Sequence, residues 1–194
     1  MTKLNVYEKT FLFILVLLPF LGMSQTNKGN SYIEIKTGLS ASDVTKDTKP
    51  ILGYNFNLTY SYGLFENMDL MASLSSYDAF STEDIPSYVQ QMYFSNALQL
   101  GVRGRIRCLN IVNLKLSLSG GMMVLAYNDI FYHASYPMSE MMIRPCVSGM
   151  AEIDFSINER IVLGVYYGKA IVCDSYAKNP YFDSAGLTLS LNLQ

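Results

Sequence analysis

The sequence predicts an all-β fold, an eight-stranded antiparallel up-and-down transmembrane β-barrel behind an N-terminal signal peptide. Three observations carry that expectation. Apolar residues recur at every second position over long segments, short and long connections alternate between the segments, and charge is scarce. Only 15% of residues are charged while 50% are hydrophobic, against about 25% charged in ordinary soluble domains. The formal net charge of −2 offers no electrostatic basis for nucleic-acid binding, which depends on neutralising phosphates with lysine and arginine.

The N-terminus is set apart from the fold. Lys3 and Lys9 flank a polar start, Phe11 to Leu21 form an apolar core, and Gly22 and Ser24 place small residues where a signal peptidase reads. The apolar core is shorter than the ~20 residues that a spanning helix needs. Residues 1–24 are therefore expected to be a signal peptide and residues 25–194 the barrel domain, with Gln25 first in the mature chain.

Eight segments follow in order. In 31–40, Ile33, Ile35 and Leu39 alternate with Glu34, Lys36 and Gly38. In 51–64, Tyr54, Phe56, Leu58, Tyr60, Tyr62 and Leu64 alternate with Asn55, Asn57, Thr59, Ser61 and Gly63. Successive side chains of a strand point to opposite faces, so this segment has one apolar face and one polar face. It exceeds the usual strand of about 5–6 residues and suits a tilted bilayer crossing of roughly 9–11. Residues 68–78 form the third segment. In 90–106, Phe94, Leu98, Leu100, Val102 and Ile106 oppose Ser95, Gln99, Arg103 and Arg105. In 113–126, Leu114, Leu116 and Leu118 oppose Lys115, Ser117 and Ser119. Residues 142–156 and 160–173 come next, and 182–193 closes the set with Leu187, Leu189, Leu191 and Leu193 against Gly186, Thr188, Ser190 and Asn192.

The connections sort into two kinds. Residues 65–67, 107–112 and 157–159 are tight turns, whereas 41–50, 79–89, 127–141 and 174–181 are longer and polar. Short turns on one side and long loops on the other mark a bacterial outer-membrane barrel, with the short side periplasmic. A Greek-key sandwich has no reason to sort its loops this way. With an even strand count, both termini emerge on the short-turn side.

Two stretches carry a family resemblance. One is Tyr54 to Leu64 followed by Phe65-Glu66-Asn67. The other runs from Val147-Ser148-Gly149 through Phe155-Ser156-Ile157-Asn158-Glu159-Arg160 to Leu163-Gly164-Val165-Tyr166-Tyr167-Gly168. In these the chain resembles the small eight-stranded outer-membrane β-barrels, OmpX/OmpA-like and porin-family, over essentially the whole mature region. The resemblance implies the outer membrane of a Gram-negative-type bacterium, contact with outer-membrane lipid, a monomer, and delivery by periplasmic chaperones and the barrel-insertion machinery. It also implies a non-enzymatic structural or surface-interaction role. Any surface ligand is then expected on residues 79–89 and 127–141, since loops carry specificity on rigid scaffolds.

Candidate residues fall into four groups. Glu34, Lys36, Arg103, Arg105, Lys115, Glu152 and Asp154 lie on polar strand faces at one level near the short-turn end. An eight-stranded barrel is just wide enough to be filled by side chains, so these groups are expected to form a lumenal network of ion pairs. The competing reading is a charge-lined narrow porin for small solutes. Tyr54, Phe56, Tyr60, Tyr62 and Phe155 are expected as outward aromatics at headgroup level. His133 is the only histidine, and with Ser135 as nucleophile and an acidic orienter such as Glu140 it would supply the chemistry of a lipid A-modifying hydrolase. They fall in a long loop beside Pro137, where no strand positions them. Cys146 and Cys173 approach the outer ends of neighbouring strands, but parity sends one inward and one outward, so pairing them requires a bulge. No phosphate-cradling glycine loop, clustered metal ligands or dinucleotide fingerprint occurs, so no cofactor or metal is expected.

Overall fold

The computed structural model describes residues 28–43, 51–80, 92–109, 111–129, 138–173 and 181–193. They form eight strands: β1 (Ser31–Asp43), β2 (Ile51–Phe65), β3 (Met68–Phe80), β4 (Met92–Leu109), β5 (Val112–Asp129), β6 (Met138–Ser156), β7 (Ile161–Val172) and β8 (Tyr181–Asn192). Each pairs antiparallel with the next, and β8 returns to β1 to close the barrel. Closure leaves no free edge where all eight strands run side by side, and only the ends of the longest strands pair on one side alone, as β6 does before Cys146. Residues 1–27, which include the expected signal peptide, lie outside the described residues.

Alternation is realised as an inside-out pattern. On β2, Asn55, Asn57, Thr59 and Ser61 are buried in the lumen while Tyr54, Phe56, Leu58, Tyr60 and Tyr62 are exposed. The same parity places Leu98, Leu100, Leu118, Leu163, Val165, Leu187 and Leu189 on the outer surface. A contiguous apolar belt of this extent is far beyond the few hundred Å² that soluble monomers leave exposed.

The strand ends correct the expected loops. Strands β4, β5 and β6 run 18, 18 and 19 residues, against 12 for β7 and β8, so one wall stands taller. The connection expected at 127–141 shrinks to 130–137, because Tyr127 pairs with Glu140 and Asp129 with Met138. That at 79–89 shifts to 81–91, because β3 continues to Phe80 opposite Met92. Pairing satisfies backbone N–H and C=O whatever the side chains are, so a hairpin can outrun its apolar pattern. The expected turn at 107–112 is tighter too, with Leu109 already paired to Val112.

The β1–β8 seam is drawn close by two glycines. Gly38 faces Gly186, and a Cβ on either would strike the opposing backbone carbonyl, that of Ala185 or Thr37 respectively. In register they belong to one inward row, Tyr166–Gly186–Gly38–Asn55. The Tyr166 hydroxyl donates to Asn55 Oδ1 at 2.6 Å, so a β7 side chain spans the two glycines to reach β2. We expect Gly186→Val to cost at least the ~1–3 kcal/mol of overpacking, because the atom it strikes is backbone. Urea titration followed by the heat-modifiable electrophoretic band would measure the loss, and an unchanged midpoint would refute this reading of the seam.

Candidate functional site

The described interior divides into two zones. Toward the short turns, Glu34 of β1 is the hub of a buried ion cluster. Arg103 of β4 reaches across the lumen and clamps it bidentately, Nη1 to Oε1 at 2.6 Å and Nη2 to Oε2 at 2.7 Å. Lys36 Nζ donates to Oε2 at 2.6 Å, Lys115 Nζ to Oε1 at 2.9 Å, and Ser190 Oγ to Oε1 at 3.4 Å. Glu152 Oε1 lies 3.4 Å from both Lys36 Nζ and Arg103 Nη2, and Asp154 Oδ2 lies 2.5 Å from Lys115 Nζ. Arg105 pairs with Asp69 at 2.9 Å and rests 4.6 Å over the Tyr32 ring.

Electroneutrality organises the cluster. Four cations (Lys36, Arg103, Arg105, Lys115) meet four anions (Glu34, Asp69, Glu152, Asp154), and the formal sum is zero. An uncompensated buried charge costs several kcal/mol, so the set is stable only as a set. The seven charged residues named from sequence are brought together here. Asp69 was missed, although it is the first inward position of β3 and its parity marks it.

Beside the cluster runs a neutral polar wall. Thr59 Oγ1 donates to Asn57 Oδ1 and Asn57 Nδ2 to Ser75 Oγ, each at 2.6 Å. Gln99 Oε1 accepts from Ser148 Oγ at 3.1 Å. The second zone, toward the long connections, is apolar: Tyr77, Ala97, Met123, Leu125, Cys146, Ala170, Val172 and Phe182 pack into one buried group. The Tyr77 and Phe182 rings stand 5.0 Å apart at 33°. This apolar plug was not expected from the sequence. Its signal is the run Met122-Met123-Val124-Leu125 on β5, where inward and outward positions are both apolar.

The other named residues are scattered. Tyr54 and Phe56 lie on the outer surface toward the long connections, and Tyr60, Tyr62 and Phe155 toward the short turns, all 42–63% exposed. His133 and Ser135 lie outside the described residues, and Glu140, expected in a loop, is a β6 position opposite Tyr127. Cys146 is buried, Cys173 is exposed, and both are free thiols. The β6–β7 ladder holds its register from Cys146 to Ser156, so the bulge that pairing requires is not there. Among the described residues, no cluster of histidine, cysteine and carboxylates is placed to hold a metal ion.

At the short-turn end the lumen opens into a cavity of about 540 Å³ lined by Arg105, Arg107, Lys115, Asp154 and Glu159, by Tyr32 and Val162, and by asparagine and serine side chains.

No family model matches the chain, and no curated protein matches it in sequence. Solved structures do match in fold. Neisserial surface protein A (NspA) is similar at 7% identity with a TM-score of 0.65, over 83% of this chain and 96% of that one. Ail, the attachment invasion locus protein of Yersinia pestis, is similar at 16% identity with a TM-score of 0.58, over 86% and 99%. The outer membrane protease OmpT of Escherichia coli is similar at 11% identity with a TM-score of 0.52, over 89% and 99%. At these identities the likeness is one of fold: the closed barrel of outer-membrane proteins, which surface proteins and a protease both use.

Proposed function

We propose that this chain is a non-enzymatic outer-membrane barrel that anchors surface loops for a structural or binding role and does not conduct solutes. The observation that carries the reading is the doubly stoppered lumen, an electroneutral ion cluster below an apolar plug. A pore that selects ions keeps its charge ring in contact with a water path, whereas here Glu34, Lys36 and Arg103 have no exposed surface. The apolar outer belt supports insertion in lipid, and the likeness in fold to NspA and Ail supports the surface role.

In this reading residues 1–24 direct export and are removed, the short turns face the periplasm, and the opposite strand ends, those of Phe80, Met92, Asp129 and Met138 among them, face outward. Outer-membrane lipid is the partner that the belt is suited to. Detergent-folded protein is expected to migrate anomalously until boiled and to give no steady conductance in planar bilayers. Stable channels of nanosiemens size in the same heat-modifiable sample would overturn the stoppered-lumen reading.

A further inference from the structure

We propose that the short-turn rim is itself a lipid-contact surface, seated in the headgroup layer of the periplasmic leaflet. Each of the four junctions around that rim carries one large apolar residue. Phe65 stands at the β2–β3 turn, Ile111 at the β4–β5 turn, Ile157 at the β6–β7 turn, and Leu193 where β8 meets β1. All four are 52–62% exposed. Their backbones are held in place. Phe65 pairs with Met68, Ile111 O accepts from Ser156 N at 2.8 Å, Ile157 N donates to Ile161 O at 3.0 Å, and Leu193 N donates to Ser31 O at 2.9 Å. Scattered single apolar residues are ordinary on a soluble surface. These instead continue the outer belt downward, since Tyr62, Phe155 and Leu191 are exposed on the strands that lead to Phe65, Ile157 and Leu193.

The height of the belt points the same way. Going up the outer face from the short turns, the first charged or amide side chains on β3, β4, β7 and β8 are Asp78, Asn96, Lys169 and Asp183. They mark the upper margin of the apolar band. Such a band is about 25 Å tall and a strand tilted by about 40° climbs roughly 2.5 Å per residue, so crossing it takes about 10 residues. Counting that far down reaches Met68, Ile106, Glu159 and Leu193. Three of these lie at the rim itself, and Ile106 lies just above the β4–β5 turn. A protein partner would cover one arc of the rim, whereas anchors spaced around the ring match lipid on every side. Lys28, Arg107 and Arg160 share the rim with Glu66 and Glu159, so apolar contact, not charge, selects the occupant. The inference deepens the outer-membrane reading and rests on it.

The chain has no tryptophan, so a single introduced tryptophan reports its own depth. Phe65→Trp, Ile111→Trp and Ile157→Trp are each folded into phosphatidylcholine vesicles, with folding verified by heat-modifiable migration. Lipid brominated near the ester end of its acyl chains should remove about half of each emission, as expected for rings at headgroup level. Two further variants separate the outcomes. Leu100→Trp lies on the outer belt between its two margins, and brominated lipid quenches it if the barrel spans a bilayer at all. Glu159→Trp replaces a side chain that lines the cavity, and should respond to aqueous acrylamide and not to the bromines. Rim tryptophans quenched by acrylamide but not by bromine, with Leu100→Trp bromine-quenched, overturn the proposal and leave the membrane reading intact. Equal bromine quenching of Glu159→Trp and Ile157→Trp overturns it too, since the tryptophan itself would then be drawing the turn into lipid. An unquenched Leu100→Trp overturns the outer-membrane reading, and the proposal with it.

Discussion

Glu34→Ala is expected to lower the unfolding free energy by about 3–5 kcal/mol, the cost of breaking a buried pair by removing one partner. The carboxylate accepts from three cations at 2.6–2.9 Å. Without it, Lys36, Arg103 and Lys115 face only Glu152 and Asp154, an excess of one positive charge in a space without exposed surface. Glu152 cannot replace the hub, since its contacts to Lys36 and Arg103 are already longer, at 3.4 Å. Glu34→Gln keeps the volume and loses the charge, so it should fall close to alanine if charge is what holds the cluster. The chain has no tryptophan, so the unfolding curve is best followed by tyrosine emission and by the heat-modifiable band. A loss below about 1 kcal/mol, the range of exposed pairs, would mean that the cluster is hydrated and dispensable.

Phe182→Ala should cost a similar amount for a different reason, about 3–5 kcal/mol from lost transfer energy and the cavity left behind. Phe182 is 1% exposed and packs on Tyr77. Its removal should also open the outer stopper, and Cys146 supplies an independent readout. In the folded protein Cys108 and Cys173 are exposed and Cys146 is buried in the plug. A maleimide should therefore label two thiols in the parent and three in the variant. A destabilised variant that still labels only twice would show that the plug closes around the gap.

The fold was largely legible because side-chain alternation is a geometric necessity of an extended chain, and the belt imposes it on every strand. The upper ends of β5 and β6 were not, since Tyr127 and Glu140 pair through backbone atoms that leave no trace in the side-chain pattern. Parity also marks Glu34, Arg103 and Lys115 as inward. It does not say that Arg103 crosses from β4 to grip β1, which depends on barrel curvature and register. The plug was hidden for the opposite reason: at Met122 to Leu125 both faces are apolar, and alternation vanishes where lumen and lipid ask for the same chemistry. The facing of Gly38 and Gly186 depends on residues from opposite ends of the chain, and no local pattern announces it.

That seam also sets the order in which the molecule can be finished. Seven ladders join neighbours in the sequence, but the eighth joins residues 32–43 to residues 181–192, so it waits for the last strand. Contacts of such separation form slowly because the loop entropy is lost before they repay it. The Tyr166–Asn55 hydrogen bond lies across this last junction and exists only in a shut ring. A half-made sheet, with its apolar belt displayed and two edges unpaired, is the species most prone to aggregate. The long interval before closure is thus when this chain is most exposed to aggregation.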